Sequence, residues 1–487
     1  MTRPEAEAIY DAGKEAVVRV LLAMDARIDA LEERIRHLEN QLAKNSSNSS
    51  KPPSSDGYKK PAPKSLRKKG ERKSGGQPGH TGHTLGRVDE PDHTEVHPVL
   101  HCQCCGRSLA DQLADGLEKR QVHDLPPMRL IVTEHQAETK MCACGHCNRA
   151  AFPEGVNAPV QYGPAIQAAA VYLKNYQHLP YARTSELLGD FFGCPISEGT
   201  LDNIIARSHE LAAGPVEQIK AAIERAPVVH FDETGSRVEG KLWWTHSAST
   251  NLATYYDVHQ KRGGEAFDAI GILPDFCGRA IHDFWKSYFG YDCLHGLCNS
   301  HHLRELTFVH EQHQQDWADH MIDCLLEIKD AVEQAKQIAG LPACRAQAGH
   351  LDQCQLRHFE RHYQQILDEG YAENPLPPRP PGTKKKRGRR KKTKARNLLE
   401  RLDQHRSEAL AFMYDFSVPF DNNLAERDLR MIKLQQKISG SFRTEDGAKT
   451  FCRIRSYVST ARKNAVGAMD ALTRLFHGNP FIPEFDS

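Results

Sequence analysis

Three short acidic segments carry the residue types best suited to catalysis, and they occupy positions 230–235, 281–289 and 421–427. Asp232 and Asp283 each end an apolar, strand-like run, whereas Glu426 lies in a helix-like pattern. Carboxylate oxygens are the protein ligands that Mg²⁺ prefers. Two cations about 3.5–4 Å apart can stabilise the attacking and leaving oxygens of a phosphodiester. The three carboxylates therefore predict a site for Mg²⁺ or Mn²⁺ that acts on phosphodiester bonds.

The third carboxylate has rivals in the same segment. Asp421 and Asp428 lie close to Glu426, and Asp421 with the two asparagines after it is also typical of a helix N-cap. Glu233 and Asp292 are weaker rivals for the other two positions. We expect Asp232, Asp283 and Glu426 to form the catalytic set.

The elements that must position these residues follow one another between residues 226 and 298. Five short runs rich in β-branched and aromatic residues predict strands, and a helix near 263–271 separates the third from the fourth. The runs are Val228–Asp232, Leu242–Ala248, Ala253–Val258, Arg279–Asp283 and Cys293–Cys298. Three strands, then a helix and a strand, is the order of a ribonuclease H-like mixed sheet. We predict an α/β catalytic domain at 225–440 with a helical insertion at about 310–415, followed by a C-terminal helical element at 441–487.

A cysteine-rich segment precedes this domain, because residues 99–150 hold six of the 14 cysteines. Two C-x2-C pairs stand out, Cys102 with Cys105 and Cys144 with Cys147. Four thiolates suit tetrahedral zinc, and a two-residue spacer lets each pair bind one ion. Cys104 and Cys142 leave other pairings open. We predict a zinc-binding domain at 86–155.

Other side chains near the acidic segments are candidates for supporting roles. Cys298 and His301 form an auxiliary metal-type pair, for which a buried thiol and a turn histidine are the alternative. Arg427, Arg430 and Lys433 follow Glu426 along the same helix. They predict contacts to DNA phosphates, and a solvated basic helix face is the alternative.

The N-terminal region predicts self-association. Apolar residues recur at spacings of four and three along residues 14–44, which is the a/d pattern of a coiled coil. A basic flexible linker at 45–85 follows, and a second basic run occupies 384–394. Such runs favour binding to a phosphate backbone. We expect a homodimer or a larger homo-oligomer formed through the coiled coil.

Residues 160–215 are predicted to be entirely helical. Two helices around the turn at Cys194–Ser197 resemble a helix-turn-helix, with Ser197 as the N-cap of the second. In that motif the second helix enters the major groove of DNA. Two packed helices without a role in DNA binding are an equal alternative.

Composition excludes some classes of protein. The formal net charge of +1 is uninformative about partners, and no apolar run is long enough for a transmembrane helix. The first residues are acidic and lack an apolar signal core. Clustered cysteines favour metal in a reducing compartment over disulfides. We expect a cytoplasmic protein.

Together these motifs resemble a DDE transposase of the insertion-sequence 66 family, over nearly the whole chain. The resembling segments are the heptad helix, Asn45–Asp56, Gly75–His80, the two cysteine pairs, His178–Tyr181 with Pro195–Ser197, Asp232–Gly235, His259–Gly263, Cys298–Leu306, Asp421–Arg427 and Leu472–Pro483. Some other DDE groups carry an arginine four residues before the glutamate, where this chain has Asn422. Lys433 matches a DNA-contacting lysine of some of those groups.

The resemblance implies metal-dependent cleavage at the ends of an insertion element and transfer of the 3′-ends to target DNA. It assigns the catalytic carboxylates to Asp232, Asp283 and Glu426, and it implies Zn²⁺ at the cysteine pairs. DNA is the implied partner, and accessory proteins of the same element are further candidates. Two alternatives stay open: a transposase-derived DNA-binding protein without activity, and a ribonuclease H-like nuclease without strand transfer.

Overall fold

The computed structural model describes residues 2–45, 48, 85–126, 128–338, 349–376 and 392–484. The predicted linker at 45–85 lies outside the described residues except at Asn45, Asn48 and Leu85, and the basic run at 384–394 does so except at 392–394. No helix in the described part of the chain is long and apolar enough to cross a membrane.

Two helices begin the chain, α1 (Arg3–Asp11) and α2 (Lys14–Leu42). α2 covers nearly all of the segment in which a coiled coil is predicted. Its apolar seam is exposed, with Leu21, Met24, Ile28, Leu31, Ile35 and Leu38 between 44% and 60% accessible. An exposed seam of this kind suits pairing with another helix, but the coiled coil itself stays a prediction.

The cysteine-rich segment contains only a small antiparallel pair of strands within the described residues, β1 (Thr139–Met141) and β2 (Cys147–Arg149). Its apolar side chains are largely exposed, for example Leu113 at 96% and Ile131 at 90%. The segment therefore buries little apolar surface of its own.

A five-stranded mixed sheet lies at the centre of the protein. Its strands are β3 (Val228–Val238), β4 (Lys241–Ser249), β5 (Thr254–His259), β6 (Arg279–His282) and β7 (Leu294–Leu297). Their spatial order is β5-β4-β3-β6-β7, with β3–β5 antiparallel and β6 and β7 parallel to β3. Helix α7 (Gly264–Ile270) connects β5 to β6 through a 3₁₀ turn at Leu273–Asp275, and a second such turn spans Lys286–Gly290. All five predicted strands are present, and β3 extends six residues further than predicted.

The helices before the sheet share one hydrophobic core with it. They are α3 (Pro164–Val171, continued by a π-helical turn at Tyr172–Tyr176), α4 (Tyr181–Phe192), α5 (Glu198–Leu211) and α6 (Ala213–Glu224). The same core takes in α15 (Glu445–Lys463) and α16 (Ala468–Phe476). The helical region predicted at 160–215 is thus packed onto the five-stranded sheet. Ser197 caps α5 as predicted, since its side chain accepts the Thr200 N–H.

The helical insertion forms a second core on the β6–β7 side. Its elements are α8 (Asn299–His313), α9 (Asp316–Ile338), α10 (Gln353–Glu373), α11 (Lys394–Gln404), α12 (Arg406–Ala409) and α13 (Ala411–Tyr414). Trp317 and Tyr363 are fully buried there, and Ile281 of β6 belongs to the same cluster. The sheet edge that carries Asp283 therefore rests on a rigid helical layer.

Helix α14 (Asn423–Ser439) returns the chain to the sheet. Its buried residues are Ala425, Leu429, Ile432 and Gln435. Their spacing of four, three and three places one face of the helix on β3 and β4. This face brings the first turn of α14 to the edge of the sheet where β3 ends its pairing with β6.

Candidate active site

The parallel pairing of β3 with β6 places Asp232 beside Asp283. The last paired positions of the two strands are His230 and Ile281. Each aspartate lies two residues beyond its strand's paired position. Residues two apart on a strand share a face, so the two carboxylates leave the same edge of the sheet together.

The turn after β6 holds the Asp283 carboxylate in place. Its Oδ1 accepts the backbone N–H of Trp285 at 3.1 Å. Phe284 adopts a positive φ of 69°, a conformation that non-glycine residues rarely take. His282 supports the turn because its Nδ1 accepts the Phe284 N–H at 3.2 Å. His282 is fully buried and stacked on Tyr288, so its role is to position the turn.

Helix α14 supplies the third carboxylate, Glu426. Asn422, just before the helix, is 1% exposed and makes three hydrogen bonds to residues outside α14. Its Nδ2 donates to the Phe231 carbonyl at 2.8 Å, its Oδ1 lies 2.8 Å from His230 Nδ1, and its backbone N–H donates to Cys298 Sγ at 3.2 Å. Asn422 therefore joins α14 to β3 and to the start of α8. The Glu426 N–H donates to the Asn422 carbonyl, so Glu426 is one helical turn from this junction.

The charges of the three carboxylates act on one another. Burial is the largest cause that raises the pKa of Asp232 well above its usual value. Three neighbouring carboxylates add to the rise: Glu233, Asp283 and Glu426. Like charges this close favour a bound cation or a proton. The three predicted catalytic residues are thus close enough for their charges to interact, although their carboxylate oxygens do not all lie within 4.8 Å of one another.

Arg262 is a part of this site that sequence reasoning did not single out. Its Nε donates to Glu233 Oε1 at 2.8 Å, and its guanidinium lies 3.5 Å from Asp283 Oδ2. The guanidinium also stacks on Trp285, 4.0 Å from the ring centroid. Trp285 is 38% exposed, so the stacked pair lies at the surface. Within the described part of the chain, Arg262 is thus the arginine or lysine that forms ion pairs with Glu233 and Asp283.

Glu233 has a supporting place beside the predicted site. Its side chain is inaccessible to solvent, and Tyr288 donates to its Oε2 at 2.7 Å. Burial, followed by the charge of Asp283, raises the pKa of Glu233 to about 7, although Arg262 opposes the rise. Both oxygens of Glu233 are thus already bound by protein groups.

The auxiliary pair Cys298 and His301 lies next to the third carboxylate. One ligand atom from each of Cys298, His301 and Glu426 lies within 4.8 Å of the others. Burial raises the pKa of Cys298 to about 12. Burial, more than the charge of Arg304, lowers the pKa of His301, while Glu426 and Asp283 act in the opposite direction.

The rivals of Glu426 have other partners. Asp428 Oδ2 accepts hydrogen bonds from Ser249, Thr254 and Lys463, at 2.7–2.9 Å. Asp421 accepts the backbone N–H and the side-chain amide of Asn423, as a residue at a helix start does. Neither belongs to the group of charges around Asp232.

The predicted DNA-contacting residues differ in exposure. Arg427 and Arg430 are exposed on α14. Lys433 is half-buried, and its Nζ donates to the carbonyl of Gly235. Burial lowers the pKa of Lys433. A DNA contact from Lys433 would have to compete with this backbone contact.

The cysteine pairs form turns but are not gathered at one point. The Gly106 N–H donates to the Cys102 carbonyl, and the Gly145 N–H donates to the Cys142 carbonyl. Hydrogen bonds from Cys105 and Cys104 lower the pKa of Cys102, and Cys144 lowers that of Cys142 in the same way. Among the described residues, the Cys298 group is the one set of three or more potential ligands that meets within 4.8 Å. Among the described residues the predicted zinc ligands do not meet within 4.8 Å, so the zinc site stays a prediction, and Cys142 is hydrogen-bonded to Cys144, one of the predicted ligands.

Comparison with known families decides the class of protein. The model of the Transposase IS66 family matches residues 159–450, more than half of the 487-residue chain. The chain belongs to the IS66 transposase family. A family of unknown function, DUF6444, matches residues 1–86. No curated protein matches the chain.

The IS66 match confirms the resemblance noted in the sequence. It covers the whole five-stranded sheet, the insertion and all of α14, so Asp232, Asp283 and Glu426 all lie inside it. Membership supports a role in DNA transposition. The cysteine-rich segment at 87–158 lies between the two matched ranges. The family match therefore bears on the sheet region and not on the cysteine pairs at 102–147.

Proposed function

We propose that this IS66 transposase cleaves DNA at the ends of its element and joins the 3′-ends to target DNA, using Mg²⁺ or Mn²⁺ held by Asp232, Asp283 and Glu426. The observation that supports the proposal is the electrostatic influence of Asp283 and Glu426 on Asp232, three carboxylates that come from separate elements. Asp232 comes from β3, Asp283 from the turn after β6, and Glu426 from α14. Burial, and then the charges of Glu233, Asp283 and Glu426, raise the pKa of Asp232 well above its usual value.

The donor set suits a hard divalent cation. All three side chains offer oxygen, as Mg²⁺ requires. Glu426 Oε1 is buried and has no hydrogen-bond partner. A buried carboxylate oxygen without a partner costs free energy that a bound cation would offset. When bound, the cations would activate the attacking oxygen and stabilise the leaving oxygen.

The protein's own residues orient the carboxylates. Arg262 and the Trp285 N–H both contact Asp283, so its two oxygens face different directions. Asn422 sets the position of the first turn of α14 and hence of Glu426. Such supporting contacts hold a reacting geometry that substrate binding alone would not keep.

The sheet supports a ribonuclease H-like core as the finer description of the fold. Three antiparallel strands are followed by two parallel ones in the order β5-β4-β3-β6-β7. Asp232 lies on the central strand β3, and Asp283 directly follows its neighbour β6. The described insertion, α8–α13, lies between Asp283 and Glu426, as the sequence spacing predicts.

The remaining regions would bind and pair the DNA ends. The exposed seam of α2 supports a homodimer through a coiled coil, since two ends must be joined together. Arg427 and Arg430 are positioned to contact phosphates near Glu426. Zinc at Cys102, Cys105, Cys144 and Cys147, the entry of α5 into a DNA groove, and help from accessory proteins of the element are further parts of the proposal.

The test is strand cleavage and joining on labelled DNA that carries the element's own ends. Wild type with Mg²⁺ or Mn²⁺ should cut and join. Asp232→Asn, Asp283→Asn and Glu426→Gln should each bind the ends and lose activity by about a thousandfold, the scale at which charge stabilisation of a transition state acts. Asp421→Asn is the matched control, and it should keep activity.

Each alternative gives a different result. Cleavage without joining would identify a nuclease, and binding without cleavage would identify an inactive DNA-binding protein. If Glu426→Gln stays active while Asp421→Asn does not, the third carboxylate is Asp421.

A further inference from the structure

We propose that Cys298, His301 and Glu426 form a second, thiophilic cation site, suited to Zn²⁺, and that its occupancy withdraws Glu426 from the Asp232–Asp283 pair. This proposal rests on the proposed function, because Glu426 is the carboxylate that the two sites share. Its consequence is inhibition of the transposase by zinc.

The three side chains come from two helix starts that meet. Cys298 precedes α8 and His301 lies in its first turn, so the C-x2-H spacing puts both side chains on one side of the helix end. The His301 N–H donates to the Cys298 carbonyl at 3.1 Å, which fixes this turn. Glu426 lies in the first turn of α14. The Asn422 N–H bonded to Cys298 Sγ joins the two helix starts.

Unpartnered polar atoms in this cluster point to a ligand. Glu426 Oε1 and His301 Nδ1 are both buried without a hydrogen-bond partner. His301 Nε2 lies 3.9 Å from Glu426 Oε1, too far for a hydrogen bond. The two groups face one another across a gap that a shared cation would bridge.

The chemistry of the donors selects the cation. A thiolate, an imidazole and a carboxylate are the ligand types of zinc sites, and three protein ligands leave a fourth position for water. Mg²⁺ has little affinity for sulfur or imidazole and would take only the Glu426 oxygen here. Binding of Zn²⁺ would displace the Cys298 proton to solvent. The cluster therefore distinguishes Zn²⁺ from the catalytic cation while using one of the same ligands.

The first experiment measures binding by Co²⁺ added to the full-length protein in which the six cysteines at 102–147 are replaced by serine, so that those thiols cannot give the same signal; in this background the protein with Cys298 intact serves as wild type. Co²⁺ bound to a thiolate gives a charge-transfer absorption band. Wild type should show the band, whereas Cys298→Ser should lose it and Glu426→Gln should weaken Co²⁺ binding by at least about tenfold, the minimum effect of losing even an outer partner of a metal site. Cys452→Ser, another buried thiol in a different core cluster, is the matched control and should keep the band.

Serine at position 298 keeps an acceptor for the Asn422 N–H, and His301→Gln provides a second variant that leaves the thiol intact. His301→Gln should also weaken the band. A band that persists unchanged in Cys298→Ser, or Co²⁺ binding that is unchanged in Glu426→Gln, would overturn the proposed site.

The second experiment measures inhibition of Mg²⁺-dependent end cleavage by Zn²⁺, relative to each variant's own uninhibited rate. Cys298→Ser should need at least about ten times more Zn²⁺ for half inhibition than wild type or Cys452→Ser. Equal inhibition of all three would overturn the competition. The two proposals can fail separately. A Cys298-dependent band without any DNA cleavage would support the cation site and contradict the proposed function. DNA cleavage without such a band would support the proposed function and contradict the cation site.

Discussion

The sheet region and the cysteine-rich segment hold their metal-type side chains in opposite ways. Around Asp232, Asp283 and Glu426, backbone N–H groups bond to the two aspartates, and the buried Asn422 positions the helix turn that carries Glu426. Around the cysteine pairs at 102–147, the apolar side chains are exposed and the thiols are not gathered. The sheet region is therefore stabilised by its own packing, whereas the fold of the cysteine-rich segment would have to be stabilised by bound metal.

The largest effect should come from removing zinc. A strong chelator should leave the sheet region folded and make residues 86–155 sensitive to protease, because structural zinc contributes about 10–16 kcal/mol to small metal domains. Limited proteolysis with fragment identification measures this. A segment that resists protease equally with and without chelator would remove the contrast between the two regions.

The zinc content of two variants identifies the fourth zinc ligand. On the predicted pairing, Cys147→Ser should lose zinc and Cys142→Ser should keep it. Because Cys142 and Cys144 are hydrogen-bonded to each other, the opposite result would assign the second pair to those two residues.

Core substitutions should show a smaller contrast. Trp317→Ala removes a fully buried side chain in the insertion core and should lower the free energy of unfolding by about 3–5 kcal/mol. Leu113→Ala, in the cysteine segment at 96% exposure, should change it by less than about 0.5 kcal/mol. Denaturant unfolding of both variants provides the test. A large loss of stability in Leu113→Ala would contradict the contrast, because it would mean that this side chain is buried in a core.

The effect of Glu233 on the pH dependence of stability should be smaller again. Its pKa rises from 4.5 to about 7 on folding, so between these values the folded state keeps a proton that the unfolded state has lost. Its contribution to stability is therefore present at low pH and falls as pH rises through this window. Relative to wild type, Glu233→Gln should gain about 2 kcal/mol between about pH 5 and pH 7. The exposed Glu210→Gln is the control, and equal pH curves for all three proteins would contradict the raised pKa.

The smallest effect should appear in DNA binding. Arg430→Gln removes one exposed charge from α14 and should reduce the slope of log affinity against log salt by about 0.9, the value for one phosphate contact. Lys433→Gln should change the slope less, because that side chain already contacts the Gly235 carbonyl. Titrations at several salt concentrations measure both slopes, and a larger change for Lys433 would reverse this assignment.

Sequence reasoning reached the strands and the three carboxylates because their signals are local. Each aspartate ends an apolar run, and Glu426 follows a capping pattern. Arg262 and Asn422 were not singled out as parts of the site, since their roles depend on contacts with Glu233, His230 and other residues far along the chain. The arginine in His259–Gly263, directly after β5, is the one local signal for Arg262 as a partner of the acidic residues. The shared core of the early helices and the sheet likewise depends on long-range packing, which periodicity does not reveal.

The central claim is that Asp232, Asp283 and Glu426 hold divalent cations at one place. The most direct measurement replaces Mg²⁺ with Fe²⁺ and generates hydroxyl radicals, which cut the protein chain next to the bound metal. We predict cuts near all three residues in the same protein, suppressed by excess Mg²⁺ and lost in Asp232→Asn but not in Asp421→Asn. Cuts that miss one of the three, or that excess Mg²⁺ leaves unchanged, would contradict a shared catalytic metal site.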